Sequence, residues 1–449
     1  GAQGLRCLQA TLGPWHAEHL RLAPADRGTA QAFWGSAMSM ARWRGARPPP
    51  LAVVLCLASI SLWDAAAAAD PFEHLAGCDL EPWLSDEPAP GEEGYHVLCF
   101  VNSTFAQVVR GGVAGRTPLA LPFGAADFRQ RLEDLLAIRK EIRYEAGEPR
   151  KQLVWKKPPW AMFTADGVKV NSGEEAAAAA EHFGRSPSAL VMLLFEGGAW
   201  RWPTIRIGFH REALPGVTLT TVARQPAIFE VRIKPENAHH PERLTPALLA
   251  DVVSAAEKKL TPSETEGRVI ESMRSSWQTF VPYQTSQRLR ALEAHTSSLL
   301  RADAHNLEEL QVLRYLEGQH YDAHRDYWDP REFPDVERFR NFEGHWLMRH
   351  ATLLWYLRAP DEGGETWFPR AHGGPVPYGE WLACDDRGLK VSPSNATAVI
   401  FYNLRADGDI DEYSWHCSCP VRRGIKWAAN SWLSNTARRP ASRPLRADL

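Results

Sequence analysis

The sequence is short of several things, and each shortage narrows the reading. It has 7 cysteines in 449 residues and no Cys-x-x-Cys pair, which argues against zinc-ribbon and thioredoxin-type redox chemistry. It has almost no excess of charge: 54 acidic against 51 basic residues give −3. There is thus no electrostatic case for nucleic acid as a partner. No repeat of the solenoid or propeller kind is visible. Its longest apolar run, LAVVLCLASISLW (51–63), has 13 residues, fewer than the roughly 20 that a transmembrane helix needs. What remains, 44% hydrophobic and 23% charged, is the composition of a soluble globular protein long enough for more than one core.

The text opens on Gly1, so residues 1–37 read as a fragment or as upstream sequence and receive no structure. From Met38 or Met40 onward a basic stretch, ARWRGARPPP, precedes the apolar run, and DAAAAAD follows it. That order is the plan of a secretory signal peptide over 38–69, or of an uncleaved signal-anchor, the one case in which a membrane is a partner. Either predicts a lumenal protein with disulfides. Five cysteines follow the leader: Cys78, Cys99, Cys384, Cys417 and Cys419. Their spacing suggests Cys78–Cys99 and a bridge from Cys384 to Cys417 or Cys419, with one thiol over. Asn102-Ser-Thr and Asn395-Ala-Thr are N-glycosylation sequons.

Residues 70–225 are expected to form a smaller mixed α/β accessory domain of unknown type. Helical spacing runs over 127–146, and EEAAAAAEHF (174–183) has high helix propensity; GYHVLCFVN, ALVMLLFEGG and TIRIGF read as strands. No catalytic constellation occurs there, and His182 and His210 are expected to be surface or core residues. A boundary is placed near 226. Beyond it come two amphipathic helices, 244–260 with Thr245 as N-cap and Pro246 at N1, and 287–300. The pattern then changes to period-2 strands, LQVLRYL, ATLLWYL, ATAVIFYNL and IKWAANSWL. Helices followed by short strands at regular intervals predict an α+β domain over 226–436 built on a jelly roll, ahead of a basic tail, 437–449.

The chemistry is concentrated in LRYLEGQHYDAHRD (313–326), which holds two His-x-Asp pairs, His320/Asp322 and His324/Asp326. Side chains at i and i+2 of a strand share a face, so either pair can aim an imidazole and a carboxylate at one point. A distal histidine would complete a 2-His-1-carboxylate triad, which suits non-haem Fe(II). His416 lies in the next suitable strand region. Ten residues on, Lys426 sits inside an apolar strand, where an ammonium is costly unless it meets an anion such as the carboxylate of a cosubstrate. A kinase catalytic loop fits poorly, because Arg331 stands where His-Arg-Asp would need Asn and no Asp-Phe-Gly follows. Asp361–Thr366 lacks the alternating ligands of an EF-hand. His345, His350 and His372 are expected in solvated or capping roles.

The blocks MRSSWQTFV (273–281), YLEGQHYDAHRDYW, ATLLWYLRAPDEGGETWFP, GLKVSPSNATAVIFYNL and SWHCSCPVRRGIKWAANSWL resemble, in order, the catalytic domain of the prolyl 4-hydroxylases. These are Fe(II)- and 2-oxoglutarate-dependent dioxygenases with a double-stranded β-helix fold. The resemblance implies His324, Asp326 and His416 as metal ligands, through Gly318-Gln-x-Tyr-x-x-His-x-Asp, and makes His320/Asp322 a decoy. It implies that Lys426 holds the distal carboxylate of 2-oxoglutarate, with Tyr356 in support and Tyr315 beside the metal-bound end. It favours Cys384–Cys419, leaving Cys417 free. Ascorbate is the implied reductant and the endoplasmic reticulum the implied site; the chain closes on Arg446-Ala-Asp-Leu449 rather than a retrieval tetrapeptide. The implied reaction hydroxylates peptidyl proline in proline-rich proteins with O2, converting 2-oxoglutarate to succinate and CO2, with no catalytic residue beyond the ligands. Two readings compete: an oxygenase of another peptidyl residue, and an idle module that grips proline-rich chains. Arg274, Trp328 and Tyr321 are the expected substrate contacts, and 327–348 is expected to form a lid.

Overall fold

The computed structural model describes residues 78–438, apart from short internal stretches of which 179–189 and 374–383 are the longest. The leader at 38–69, the basic tail beyond 438 and almost all of the helix expected at 174–183 lie outside the described residues.

Two antiparallel sheets form the frame of the site. The large one has nine strands. In spatial order they are Thr261–Pro262, Trp277–Val281, Leu310–Tyr315, Lys426–Ser434, Arg349–Arg358, Thr397–Tyr402, Ala227–Ile233, Val217–Arg224 and His210–Leu214. The small one orders Tyr321–His324, His416–Ser418, Thr366–Phe368 and Leu389–Val391. Strands contributed to both sheets by one segment of chain make the expected jelly roll. Period-2 patterning explains the layering. Leu353, Trp355 and Ala429 face outward into the main core, while Leu354, Tyr356 and Ala428 face inward with Phe368 and Phe401.

Helices Pro246–Ala256 and Gln287–Leu300 cover the outer face, burying Leu248, Leu249, Val252 and Leu289, Leu292, Leu299. Both begin as the sequence predicts, with Thr245 and Ser286 accepting from the amides of Leu248 and Leu289. Arg301 ends the second helix in the left-handed region.

The N-terminal region is a six-stranded antiparallel sheet, ordered Leu119–Pro122, Phe105–Arg110, Tyr95–Asn102, Leu190–Phe195, Ala161–Thr164 and Lys169–Val170. Helix Phe128–Leu136 packs on one face through Phe128, Leu132 and Leu136. The Cys78–Cys99 bridge is present. Three expectations need correction here. The helix read over 127–146 stops at Leu136, because Ala137 turns left-handed (φ 55°). Residues Glu141–Ala146 then pair with Lys151–Lys156 as a hairpin, which buries Ile142 and Trp155. TIRIGF is not a strand; the neighbouring strand starts at His210. The boundary at 226 falls inside a hairpin, since Val217–Arg224 pairs with Ala227–Ile233 and both continue the catalytic sheet. Val97, Phe195 and Trp200 of the N-terminal region share one core with Phe229, Leu353 and Tyr402. Residues 71–449 accordingly form one compact unit.

Candidate metal and cosubstrate site

The strand Tyr321–His324 pairs with His416–Ser418 so that Tyr321 faces Ser418 and His324 faces His416. Three steps on one strand thus match two on the other, leaving one extra residue, a β-bulge. Bulges near active sites re-aim side chains, and this one separates the two His-x-Asp pairs. On a regular strand all four residues, being evenly numbered, would share a face. The extra residue inverts the alternation after Tyr321. Tyr321 and His324 therefore lie on the same side, their rings stacked at 3.7 Å and 19°. His320 and Asp322 pair with each other (Nε2 to Oδ1 3.5 Å), and the hydroxyl of Ser275 accepts from the amide of His320.

His324, Asp326 and His416 converge: their ligand atoms lie within 4.8 Å of one another. The surroundings fix how each presents itself. His324 Nδ1 donates to the carbonyl of Asp322 at 2.8 Å and His416 Nδ1 to that of Ser414 at 3.0 Å, so each ring turns a free Nε2 toward the cluster. Burial, with the neighbouring His416, pushes His324 down to about 3, and burial lowers His416 as well. Both imidazoles are thus neutral ligands at physiological pH.

Asp326 Oδ2 accepts from Thr352 Oγ1 at 2.7 Å and Trp432 Nε1 at 2.9 Å. Thr352 Oγ1 in turn accepts from Asn403 Nδ2 at 3.0 Å. Oδ1 lies 4.0 Å from His324 Nε2 and Oδ2 3.8 Å from His416 Nε2. Burial alone would raise this carboxyl, but His416, Arg349 and His324 together hold it at about 2. Two neutral imidazoles and one ionised carboxylate oxygen on one side of the ion position are the donor set that non-haem Fe(II) takes; the residues fit the metal.

The same strand supplies the second half of the site. Ser418 stands two residues beyond His416, on the same face, and its Oγ accepts from Lys426 Nζ at 2.9 Å. That ammonium is buried, 1% exposed, and no acidic residue pairs with it among the described ion pairs. Burial pushes it down to about 8. The rings of Tyr315 and Tyr356 lie 5.1 and 5.7 Å from Nζ. Burial raises both phenols, and Tyr356 Oη is bonded to Thr366 Oγ1 at 2.7 Å. Tyr356, expected to support the distal carboxylate, and Tyr315, expected beside the metal-bound end, both lie at the Lys426 end of the pocket. A buried cation flanked by two hydroxyl-bearing rings has the chemistry to hold an anion.

One pocket of about 430 Å³ joins these parts, lined by the triad, Lys426, Tyr315, Tyr321, Arg274 and Trp328. The three expected substrate residues are all on its wall. Arg274 is buried over the Tyr321 ring at 4.4 Å and donates to the Glu264 carbonyl, which stiffens the Tyr321–His324 stack. Trp328 stacks on Phe339 at 5.6 Å. Its segment, 327–348, is anchored as well as aromatic. Asp329 is buried beneath Arg331 and Arg325, and Tyr327, Phe339, Trp346 and Met348 are core residues.

Sequence reasoning missed Thr352, Asn403, Ser418 and Trp432. Trp432 was within reach: Lys426, Ala428, Asn430 and Trp432 alternate along one strand and all line the pocket. His350 departs from its expected solvated role. It is buried in the 349–358 strand, bonded to the carbonyl of Trp200 at 2.9 Å and pushed down to about 4 by burial. The Cys384–Cys419 bridge is present and Cys417 is a buried free thiol.

Residues 310–434 match the model of the 2OG-Fe(II) oxygenase superfamily. The chain is similar to prolyl 4-hydroxylase 5 of Arabidopsis thaliana, with 34% identity over 183 residues, 40% of this chain and 60% of that one. It is also similar to probable prolyl 4-hydroxylase 3 of the same plant, with 36% identity over 174 residues, 38% and 58% respectively. The chain thus spans about three fifths of the length of these relatives. A solved viral collagen prolyl hydroxylase from Paramecium Bursaria Chlorella virus-1, in its 2OG complex, shares 27% identity over 42% of this chain and 91% of that one, with a TM-score of 0.31.

Proposed function

We propose, starting from a chain whose residues 310–434 belong to the 2OG-Fe(II) oxygenase superfamily, that the protein hydroxylates peptidyl proline at carbon 4. The observation that carries this reading is the coexistence, in one pocket, of the three-donor cluster and the buried ammonium of Lys426. An idle binding module has no use for either. The relatives' names supply the proline.

When bound, Fe(II) and 2-oxoglutarate supply the oxidising chemistry that couples loss of CO2 to insertion of oxygen into a C–H bond. The protein's own residues hold and orient. His324, Asp326 and His416 would hold the metal. Lys426, steadied by Ser418, would pair with the far carboxylate and fix the register of the cosubstrate. Thr352 and Trp432 donate to Oδ2 of Asp326 and so hold the carboxylate in orientation toward the cluster. Tyr321, held by Arg274, shields one face of His324. The pocket walls offer Trp328 and Tyr321 to a proline-rich segment. Such a segment enters pre-extended as polyproline II, at low ordering cost.

A secretory setting, with ascorbate as reductant and glycans at the sequons, is part of the same proposal. It is supported by the leader pattern at 38–69 and the two disulfides. Among the described residues no helix is long and apolar enough to cross a membrane. The test is incubation with Fe(II), 2-oxoglutarate, ascorbate and a proline-rich peptide. A 16 Da gain on proline, stoichiometric with succinate, is expected. A gain on another residue, or none, overturns the proposal.

A further inference from the structure

The N-terminal region reaches the pocket through one hairpin. Strands Glu141–Ala146 and Lys151–Lys156 form a two-stranded sheet of their own, and Trp155 is 2% exposed. Its ring lies 5.0 Å from that of Trp346 and 6.2 Å from that of Phe339. Tyr144, on the other strand, meets the edge of Trp346 at 6.4 Å. The carbonyl of Lys156 accepts from the amide of Trp346 at 2.8 Å, joining hairpin and segment through the backbone as well.

The contact continues to the pocket. Phe339 stacks on Trp328 (5.6 Å, 29°), and Trp328 meets Phe333 edge-on at 5.3 Å. Trp328 and Phe333 are partly exposed and line the same pocket as the triad. The hairpin thus stands one ring behind the pocket's aromatic wall. Tyr327, Trp346, Met348 and Phe339 form a separate small core, completed by Ile142 and Trp155 of the hairpin and by Leu404 and Ile410.

We propose that the 141–156 hairpin is a buttress that sets the position of the pocket's aromatic wall, with Trp155 as a positioning residue for the peptide substrate. This rests on the hydroxylase reading for its functional consequence, though not for the mechanical link. Asn435 ties the 346–348 end of the segment to the jelly roll, and Arg331 ties its start to Glu412; between these ties the rings of Phe339 and Trp328 rest on the hairpin side. Aromatic pairs are worth orientation as well as area, and a wall that contacts the peptide but not the metal ligands acts on peptide KM first. The N-terminal region is then part of the substrate site and not a passive attachment.

The experiment compares the wild-type full chain with Trp155→Ala and Trp155→Phe. Amide hydrogen exchange across 327–334 is measured first, without peptide. Exchange at least about tenfold faster in Trp155→Ala, with Trp155→Phe close to wild type, is expected; unchanged exchange overturns the buttress. Kinetics with a poly-proline peptide follow. KM for the peptide should rise by about fivefold or more in Trp155→Ala, with kcat and KM for 2-oxoglutarate within twofold, and Trp155→Phe should restore it. A peptide KM that does not move, or a kcat that falls in step with it, overturns the positioning role. If Trp155→Ala fails to fold, Trp155→Leu, which keeps apolar volume but removes the ring, takes its place in both arms. A wild-type protein that turns over no proline peptide would instead refute the hydroxylase reading, and the exchange arm would still decide the buttress.

Discussion

Replacing Lys426 by methionine should change stability and cosubstrate affinity in opposite directions. The side chain is buried, donates once, to Ser418 Oγ, and meets no carboxylate among the described ion pairs. Its depression from an ordinary 10.5 to about 8 means that the fold holds the charge at a cost of roughly 3 kcal/mol, at about 1.4 kcal/mol per tenfold in acidity constant. The sign follows from linkage. Below pH 8 the lysine is charged in both folded and unfolded states and the whole cost is present. Between 8 and 10.5 the folded protein sheds its proton first, so stability rises with pH and the cost fades. Methionine keeps most of the volume. The metal-free variant should therefore be the more stable at pH 7, by up to about 3 kcal/mol, with the advantage gone near pH 10.5; urea unfolding at both pH values reads this. Binding should go the other way. A carboxylate buried without its counter-charge costs about 3–5 kcal/mol, which lowers 2-oxoglutarate affinity by about two to three and a half orders of magnitude. Titration calorimetry with Mn(II) in place of Fe(II) measures it. A variant that binds 2-oxoglutarate within threefold of wild type, or that is less stable at pH 7, would refute the assignment of Lys426 as the anion anchor.

Other outcomes follow from the same geometry. His416→Ala should abolish turnover by removing a metal ligand, whereas His320→Ala, on the far side of the bulge, should leave kcat within about twofold; a peptide assay separates them. Trp432→Phe removes one of two donors to Asp326 Oδ2 and should weaken metal binding about 10- to 100-fold, read by Mn(II) titration. The metal-free protein should lose stability as pH falls. His324 is held neutral in the fold down to about 3 but takes a proton near 6.5 when unfolded, so its contribution is complete above 6.5 and drains away toward 3. Urea midpoints at pH 7.5 and 5.5 should differ, and saturating metal should narrow the gap.

Much of the catalytic half was legible because its strands have period 2 and its helices have caps. Thr245-Pro246 and Ser286 mark the helix starts that the structure contains. The two His-x-Asp pairs were a harder case. Alternation alone cannot choose between residues of the same parity, and the bulge that separates them is a matter of pairing between distant strands. Only the family pattern supplied the register. The N-terminal half misled because charged stretches such as EIRYEA score at helical spacing, while Trp155 across the hairpin gives them a reason to pair as strands. The border at 226 failed for a related reason: residues on either side of it, such as Phe195 and Phe229, share one core only in three dimensions.

One three-residue strand, His416–Ser418, carries a metal donor at one end and the partner of the ammonium at the other. Two strand residues rise about 6.6–6.8 Å, so the interval between the His416 donor and the Ser418 partner of Lys426 is ruled off by the backbone itself. Side chains can soften that interval, but the spacing is built into the pleat. On the proposed reading the site is a gauge of length. A dicarboxylate one carbon shorter than 2-oxoglutarate could satisfy the metal or the lysine but would strain to satisfy both, so selection among keto acids can occur without any residue that touches the middle of the molecule.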